Sequence, residues 1–160
     1  MRRKDREITD KALIEDFLSR QTIIRIGFYD KGEIYIVPVN YGFVCENGKY
    51  VFYFHGAKAG RKYELAQAEP EVGFEIDGDH LILRGDKACS YSAKYQSVIG
   101  TGVLSVVNSM DEKIKGLSCL MKQSESERAW EFSEKALGSV AVFRLCVKNL
   151  SCKANILSNN

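Results

Sequence analysis

Apolar side chains recur in this chain with two periods. Leu13, Ile14, Phe17 and Leu18 fall on one face at helical spacing, and Thr9-Asp10 before them supplies a capping oxygen. This pattern predicts a helix through about Arg20. The period then drops to two. Ile24, Ile26 and Phe28 line one side of a strand over 22–29, Asp30-Lys31-Gly32 turns the chain, and 33–40 reads as its antiparallel partner. Glu46-Asn47-Gly48-Lys49 carries the Asn-Gly pair of a tight hairpin, with a third strand over 50–54. A short helix is expected from 60 to 68, stopped by Pro70. Strands over 72–77 and 81–84 flank Gly78-Asp79, a further turn signal. In a long strand over 95–107, Gly100 and Gly102 mark a bulge or a close backbone approach. Met110, Ile114, Leu117 and Met121 stripe a following helix behind Asn108 or Ser109 as cap. A second helix is expected over 126–137, carrying Trp130 and ended by Gly138, before closing strands over 139–147 and 151–156. The sum is a mainly β chain with peripheral helices, which suits a small closed or split barrel.

Composition narrows the picture. With 160 residues, 45% apolar and 28% charged, the chain has a globular balance, and one domain over 1–160 is expected. No repeat, low-complexity stretch or linker interrupts it. No apolar run approaches the ~18 residues of a membrane span, and the basic opening leads into polar residues without an apolar core or cleavage site. A cytoplasmic location without a membrane partner is the expectation. Five cysteines without a C-x-x-C pair read as free thiols in a reducing compartment. Only His55 and His80 are available as histidine ligands, which rules out a His-rich site; zinc through mixed Cys/His ligands stays open, but nothing in the spacing asks for it, and no metal is expected. A net charge of +2 makes no case for nucleic acid, so any anion site must come from a local cluster.

One such cluster exists in Tyr53-Phe-His-Gly-Ala-Lys-Ala-Gly-Arg-Lys-Tyr-Glu-Leu65. A strand ends at an aromatic-His-Gly step and a helix begins soon after, so free N–H groups and the helix dipole favour an anion there. Lys58, Arg61 and Lys62 add three cations, a set that fits an isolated phosphate. A solvated basic helix start is the plainer alternative. Pro38 sits inside the strand Ile34-Tyr-Ile-Val-Pro-Val-Asn-Tyr41, so that strand is an edge or flanks a planar ligand. Ser97-Val-Ile-Gly-Thr-Gly102 offers hydroxyls and closely approachable backbone, though without a P-loop pattern. His55 lies beside the anion cluster and can donate a proton or a hydrogen bond, whereas a lone histidine is more often structural. His80 reads as a surface-loop residue and Trp130 as core or interface.

Together these segments resemble the pyridoxamine 5′-phosphate oxidase-like, flavin-binding split barrels, and among them the 5-nitroimidazole-resistance reductases. The matching residues are Met1-Arg-Arg-Lys-Asp-Arg-Glu-Ile-Thr-Asp10, Ile36-Val-Pro-Val-Asn-Tyr-Gly42, Phe54-His-Gly-Ala-Lys-Ala-Gly-Arg-Lys62, Val72-Gly-Phe-Glu-Ile-Asp77 and Tyr95-Gln-Ser-Val-Ile-Gly-Thr-Gly102. The resemblance implies a homodimer with FMN between subunits, FAD being the other flavin its phosphate contacts would serve. It implies that Val37, Pro38, Val39 and Asn40 lie against the isoalloxazine, and that Arg61 and Lys62, with Lys58 nearby, hold the phosphate. Phe54 and His55 would flank the flavin, Ser97 would touch it from the later strand, and His55 would be the catalytic residue. Two departures stand out. The family's His-Ser-Ala is His55-Gly56-Ala57 here, and the ending Ser151-Cys-Lys-Ala-Asn-Ile-Leu-Ser-Asn-Asn160 lacks the Arg-Leu-x-Pro-like ending of true pyridoxamine phosphate oxidases. The expected function is an FMN-binding reductase passing electrons to a nitroaromatic or similar small molecule. The alternatives are a pyridoxamine phosphate oxidase-like enzyme and a flavin-binding carrier without dedicated catalysis.

Overall fold

A computed structural model describes residues 3–125 and 128–155 of the chain. The opening Met1-Arg2 of the resemblance, residues 126–127 of the expected second helix and everything from 156 onward lie outside them. After the short strand β1 (Glu7–Ile8) comes α1 (Lys11–Arg20). It starts where sequence places it, because Asp10 accepts hydrogen bonds from the backbone N–H groups of Ala12 at 2.8 Å and Leu13 at 3.4 Å. Ile14, Phe17 and Leu18 are buried, whereas Leu13 turns outward. Strands β2 (Ile23–Asp30) and β3 (Glu33–Asn40) pair in register from Asp30↔Glu33 to Ile23↔Asn40. Their turn holds Lys31 and Gly32 at φ of 52° and 94°, the left-handed pair that matches strand twist. Asn47 and Gly48 do the same between β4 (Gly42–Glu46) and β5 (Lys49–Gly56). β4 is a strand the sequence pattern did not pick out. It begins one residue after β3, beyond Tyr41, but pairs with β5 and not with β2.

Helix α2 (Arg61–Ala66) is shorter than expected, and β6 (Glu71–Leu83) runs straight through the Gly78-Asp79 turn signal. The reason is its partner: β7 (Ser92–Val106) continues the ladder on both sides, pairing Gly78↔Gln96 and Leu81↔Lys94 across a register shift. The local signal therefore makes a bulge with Asp79 at φ 57°, and His80 lies in this strand instead of a loop. β8 (Ala141–Asn155) is likewise one strand where two were expected, held throughout by β7. Their register shifts between Thr101 and Gly102, and a Cβ on Gly100 would stand 2.5 Å from Phe74 Cζ. Both roles expected of these glycines are present. α3 (Met110–Ser124) is capped by Ser109, whose Oγ accepts from Glu112 N. α4 (Glu134–Ser139) corrects the expected 126–137 helix: Ser133 caps it late, at Ala136 N, and it passes through Gly138. Trp130 precedes it in irregular chain, its ring under the Arg128 guanidinium at 4.1 Å.

All pairings are antiparallel, in the order β3-β2-β6-β7-β8-β5-β4, with β1 added on β8. The main core fills the inside of this curled sheet, with Phe28, Phe52, Phe54, Phe74, Phe143 and Leu104 nearly or wholly inaccessible. A smaller core of Val51, Tyr53, Val107 and Val142 lies outside it, under α3. Edges β3 and β4 meet at Tyr41 without a ladder, so the barrel is split there. Among the described residues no helix is long and apolar enough to cross a membrane.

Candidate functional site

The end of β5 and the start of α2 gather most of the candidate residues. Side chains alternate across a strand, so Phe54 and His55 point to opposite faces. Phe54 turns fully inward and stacks on Phe143, ring centroids 4.8 Å apart and 12° from parallel. His55 is exposed, opposite Val142 of β8, with no hydrogen-bond partner among the described residues. The chain leaves β5 at Gly56 and enters α2 after Gly60, whose φ of 91° suits glycine.

Lys62 lies half-buried over the stacked rings, its Nζ 5.4 Å from the Phe54 centroid and 5.2 Å from that of Phe143. It has no ion pair among the described residues, and burial pushes its pKa below the ordinary value. Gly56 makes room for it: a Cβ there would stand 3.0 Å from Lys62 Nζ. The glycine that departs from the family pattern thus lies against the movable end of Lys62. Arg61 is differently placed. Its Nε donates to Asp30 Oδ2 at 2.8 Å, its Nη2 to Glu33 Oε2 at 3.0 Å, and its guanidinium lies 4.8 Å from the Tyr35 ring centroid. These carboxylates raise its pKa further. Lys58, exposed, donates to the carbonyl of Gly138 in α4. At six residues α2 contributes little dipole, so the positive character expected of a helix start rests here on side chains.

The other candidates lie farther off. Val37 and Val39 are half-buried against the core, while Pro38 and Asn40 face outward, where Asn40 Nδ2 donates to Thr22 O at 3.2 Å. β3 is an edge strand, which is where a residue without an N–H is tolerated. Its Glu33 end touches Arg61, and Pro38 lies five residues along, roughly 17 Å at strand rise. Ser97 is half-buried between Asp77 of β6 and Lys153 of β8. Three strand spacings separate its strand from β3, roughly 14 Å. One chain therefore gathers Phe54, His55, Lys58, Arg61 and Lys62 at one end of the barrel, sets Val37–Asn40 along the open edge and leaves Ser97 apart. Asp30, Glu33, Tyr35 and Phe143 complete the site and carried no signal in the sequence, because they come from distant strands. Only Gly56 was visible, as a departure.

A second polar group sits on the outer face of β2 and β6. Arg25 Nη1 donates to Glu75 Oε2 at 3.0 Å and Asp77 Oδ1 at 2.5 Å, and His80 Nε2 lies 2.7 Å from Asp77 Oδ2. Burial raises the pKa of Glu75, and the His80 contact lowers that of Asp77.

The sequence model of the pyridoxamine 5′-phosphate oxidase family matches residues 10–154. No functionally curated protein matches the chain. Among solved structures, it is similar to a protein of Bacteroides thetaiotaomicron provisionally named a 5-nitroimidazole antibiotic resistance protein, at 27% identity and TM-score 0.77, covering 92% of this chain and 86% of that one. It shares its fold with an FAD and heme binding protein of Mycobacterium smegmatis (15% identity, TM-score 0.80, covering 94% and 73%). The flavocytochrome Anf3 of Azotobacter vinelandii shares it too (18%, TM-score 0.77, covering 98% and 72%). A family match over nearly the whole chain, on a barrel whose sheet stays open between β3 and β4, makes this chain a member of the pyridoxamine 5′-phosphate oxidase family with a split-barrel fold.

Proposed function

We propose that this protein is an FMN-dependent reductase of the 5-nitroimidazole-resistance type, working as a homodimer on a small nitroaromatic or similar oxidised compound. The observation that carries it is Lys62: a half-buried ammonium over the Phe54 and Phe143 rings, with no ion pair among the described residues. Such a group is stabilised by an anion supplied from outside, and the phosphate of FMN fits the need. Arg61 and Lys58 would add charge at the same end, and Val37, Pro38, Val39 and Asn40 would flank the ring along the edge strand. Bound flavin would supply the two electrons of the reduction. Exposed His55, with a free ring nitrogen, would hold or deliver the accompanying proton at the substrate. Similarity to the Bacteroides protein named for nitroimidazole resistance supports the substrate class.

Two features support the dimer. Ser97 is too far from β3 to meet the same ring within one chain, so a second copy would supply it. The outer face of β2, β3 and β7 also leaves Ile23, Tyr29, Ile34, Ile36 and Ile99 exposed on one side of the sheet.

The test is a fluorescence titration with FMN, FAD and riboflavin, followed by anaerobic turnover of a nitroimidazole with reduced flavin. FMN is expected to bind at least tenfold tighter than riboflavin, as one charge-assisted bond at ~1.5–3 kcal/mol implies, and Lys62→Ala is expected to remove that advantage. His55→Ala is expected to keep its flavin and lose ~100- to 10,000-fold in turnover. Equal affinity for FMN and riboflavin sinks the phosphate site. Flavin binding without turnover makes the protein a carrier, and turnover of pyridoxamine phosphate in its place makes it a vitamin-B6 oxidase.

A further inference from the structure

Arg61 and Lys62 are neighbouring cations in opposite circumstances: Lys62 has no ion pair among the described residues, and Arg61 is held from three sides. A guanidinium has five N–H donors. In Arg61 the Nε–H goes to Asp30 at 2.8 Å and one Nη2–H to Glu33 at 3.0 Å, with the Tyr35 ring stacked against its face. The two carboxylates differ. Asp30 is 17% exposed and Glu33 74% exposed, so the first contact is sheltered and the second is screened and easily exchanged. A phosphate that forks onto the two Nη nitrogens meets Glu33 at Nη2, one N–H of which Glu33 now holds, and leaves the Arg61 Nε held by Asp30 untouched.

We infer that Asp30 is a positioning residue that aims the Arg61 guanidinium at the flavin phosphate, while Glu33 is a displaceable occupant of the phosphate's own place. The inference rests on the phosphate-binding reading above and makes a prediction that reading does not. If the two carboxylates acted only through their charge, both would repel the phosphate, and neutralising either would tighten FMN binding. Positioning gives them opposite signs. Glu33→Ala frees an N–H of Nη2 and lifts a competing charge. Asp30→Ala leaves the guanidinium free to rotate off the ring of Tyr35.

Fluorescence titration of FMN and riboflavin over a small variant set tests this. Glu33→Ala is expected to bind FMN ~2- to 5-fold tighter and Asp30→Ala ~5- to 20-fold weaker, with riboflavin unmoved in both. Asp30→Asn, whose amide oxygen still accepts from Nε, is expected to stay within ~3-fold of wild type. Asp30→Ala is expected to add nothing in an Arg61→Ala background, because its effect passes through that side chain. Asp30→Ala binding FMN more tightly than wild type, while FMN keeps its advantage over riboflavin, overturns the inference alone. No FMN advantage in the wild type overturns the phosphate site and this inference with it. Should Asp30→Ala fail to fold, Tyr35→Leu carries the same expectation from the ring's side: weaker FMN with unchanged riboflavin supports the assignment, and unchanged FMN removes it.

Discussion

Lys62 shows how one side chain trades stability for binding. Burial lowers its pKa from the ordinary 10.5, so the protonated form is disfavoured in the folded chain relative to the unfolded one. The sign follows from proton counting: between the lowered value and 10.5 the unfolded chain binds more protons, so stability rises with pH across that window. Below it the full cost is present. Lys62→Met removes the charge and keeps most of the apolar stem over Phe54 and Phe143. The flavin-free variant is therefore expected to melt at or above the wild-type temperature in a thermal scan at pH 7, while FMN no longer raises that temperature. A clear drop in the flavin-free melting temperature would mean that the ammonium's contact with the two rings outweighs its desolvation. The Arg61-Lys62 pair was legible in the sequence as a cation cluster. What separates its members was not, because Asp30 and Glu33 are 31 and 28 residues away.

Several elements were read from sequence because a local device decides them, though the Ser133 cap of α4 was missed. Asp10 caps α1, Ser109 caps α3, and Lys31-Gly32 and Asn47-Gly48 turn two hairpins. The reading failed where a partner strand outvotes the local signal. Gly78-Asp79 has turn chemistry, yet β7 carries the ladder past it, and β8 stays unbroken for the same reason. The close approach at Gly42 was equally invisible. α3 lies so tightly on β4 that a Cβ on Gly42 would stand 2.5 Å from Leu120 N and closer still to the Cys119 carbonyl. Backbone cannot move aside cheaply. Gly42→Ala is expected to cost ~1–3 kcal/mol in urea unfolding, by lifting α3 from the sheet. Gly138→Ala, where a Cβ meets nothing within 4 Å, is expected to stay within ~0.5 kcal/mol of wild type in the same assay.

At the scale of the molecule, the fold class was legible because short alternating runs outnumber helical ones. The pattern left a closed or a split barrel open, because the split depends on where Tyr41 sends β4, and the resemblance chose the split one. The proposed dimer belongs to this scale. Ile36, 61% exposed beside the glycines Gly27 and Gly73, stands near the centre of the outer apolar face. Ile36→Asp is expected to convert a dimer into a folded monomer by light scattering and to weaken FMN binding with it. An unchanged dimer would move the interface to another face. The place of β8 has a consequence for how the chain comes into being. It joins β7 to β5 and also carries β1, yet it is the final strand of the described sequence. Until residues 141–155 have left the ribosome, β3-β2-β6-β7 and β4-β5 are two separate ribbons with open edges. The middle of the sheet is therefore made last. Nascent chains should stay dependent on chaperones until residues 141–155 have emerged, and refolding should be slow, in the millisecond-to-second range of topologies dominated by distant pairings.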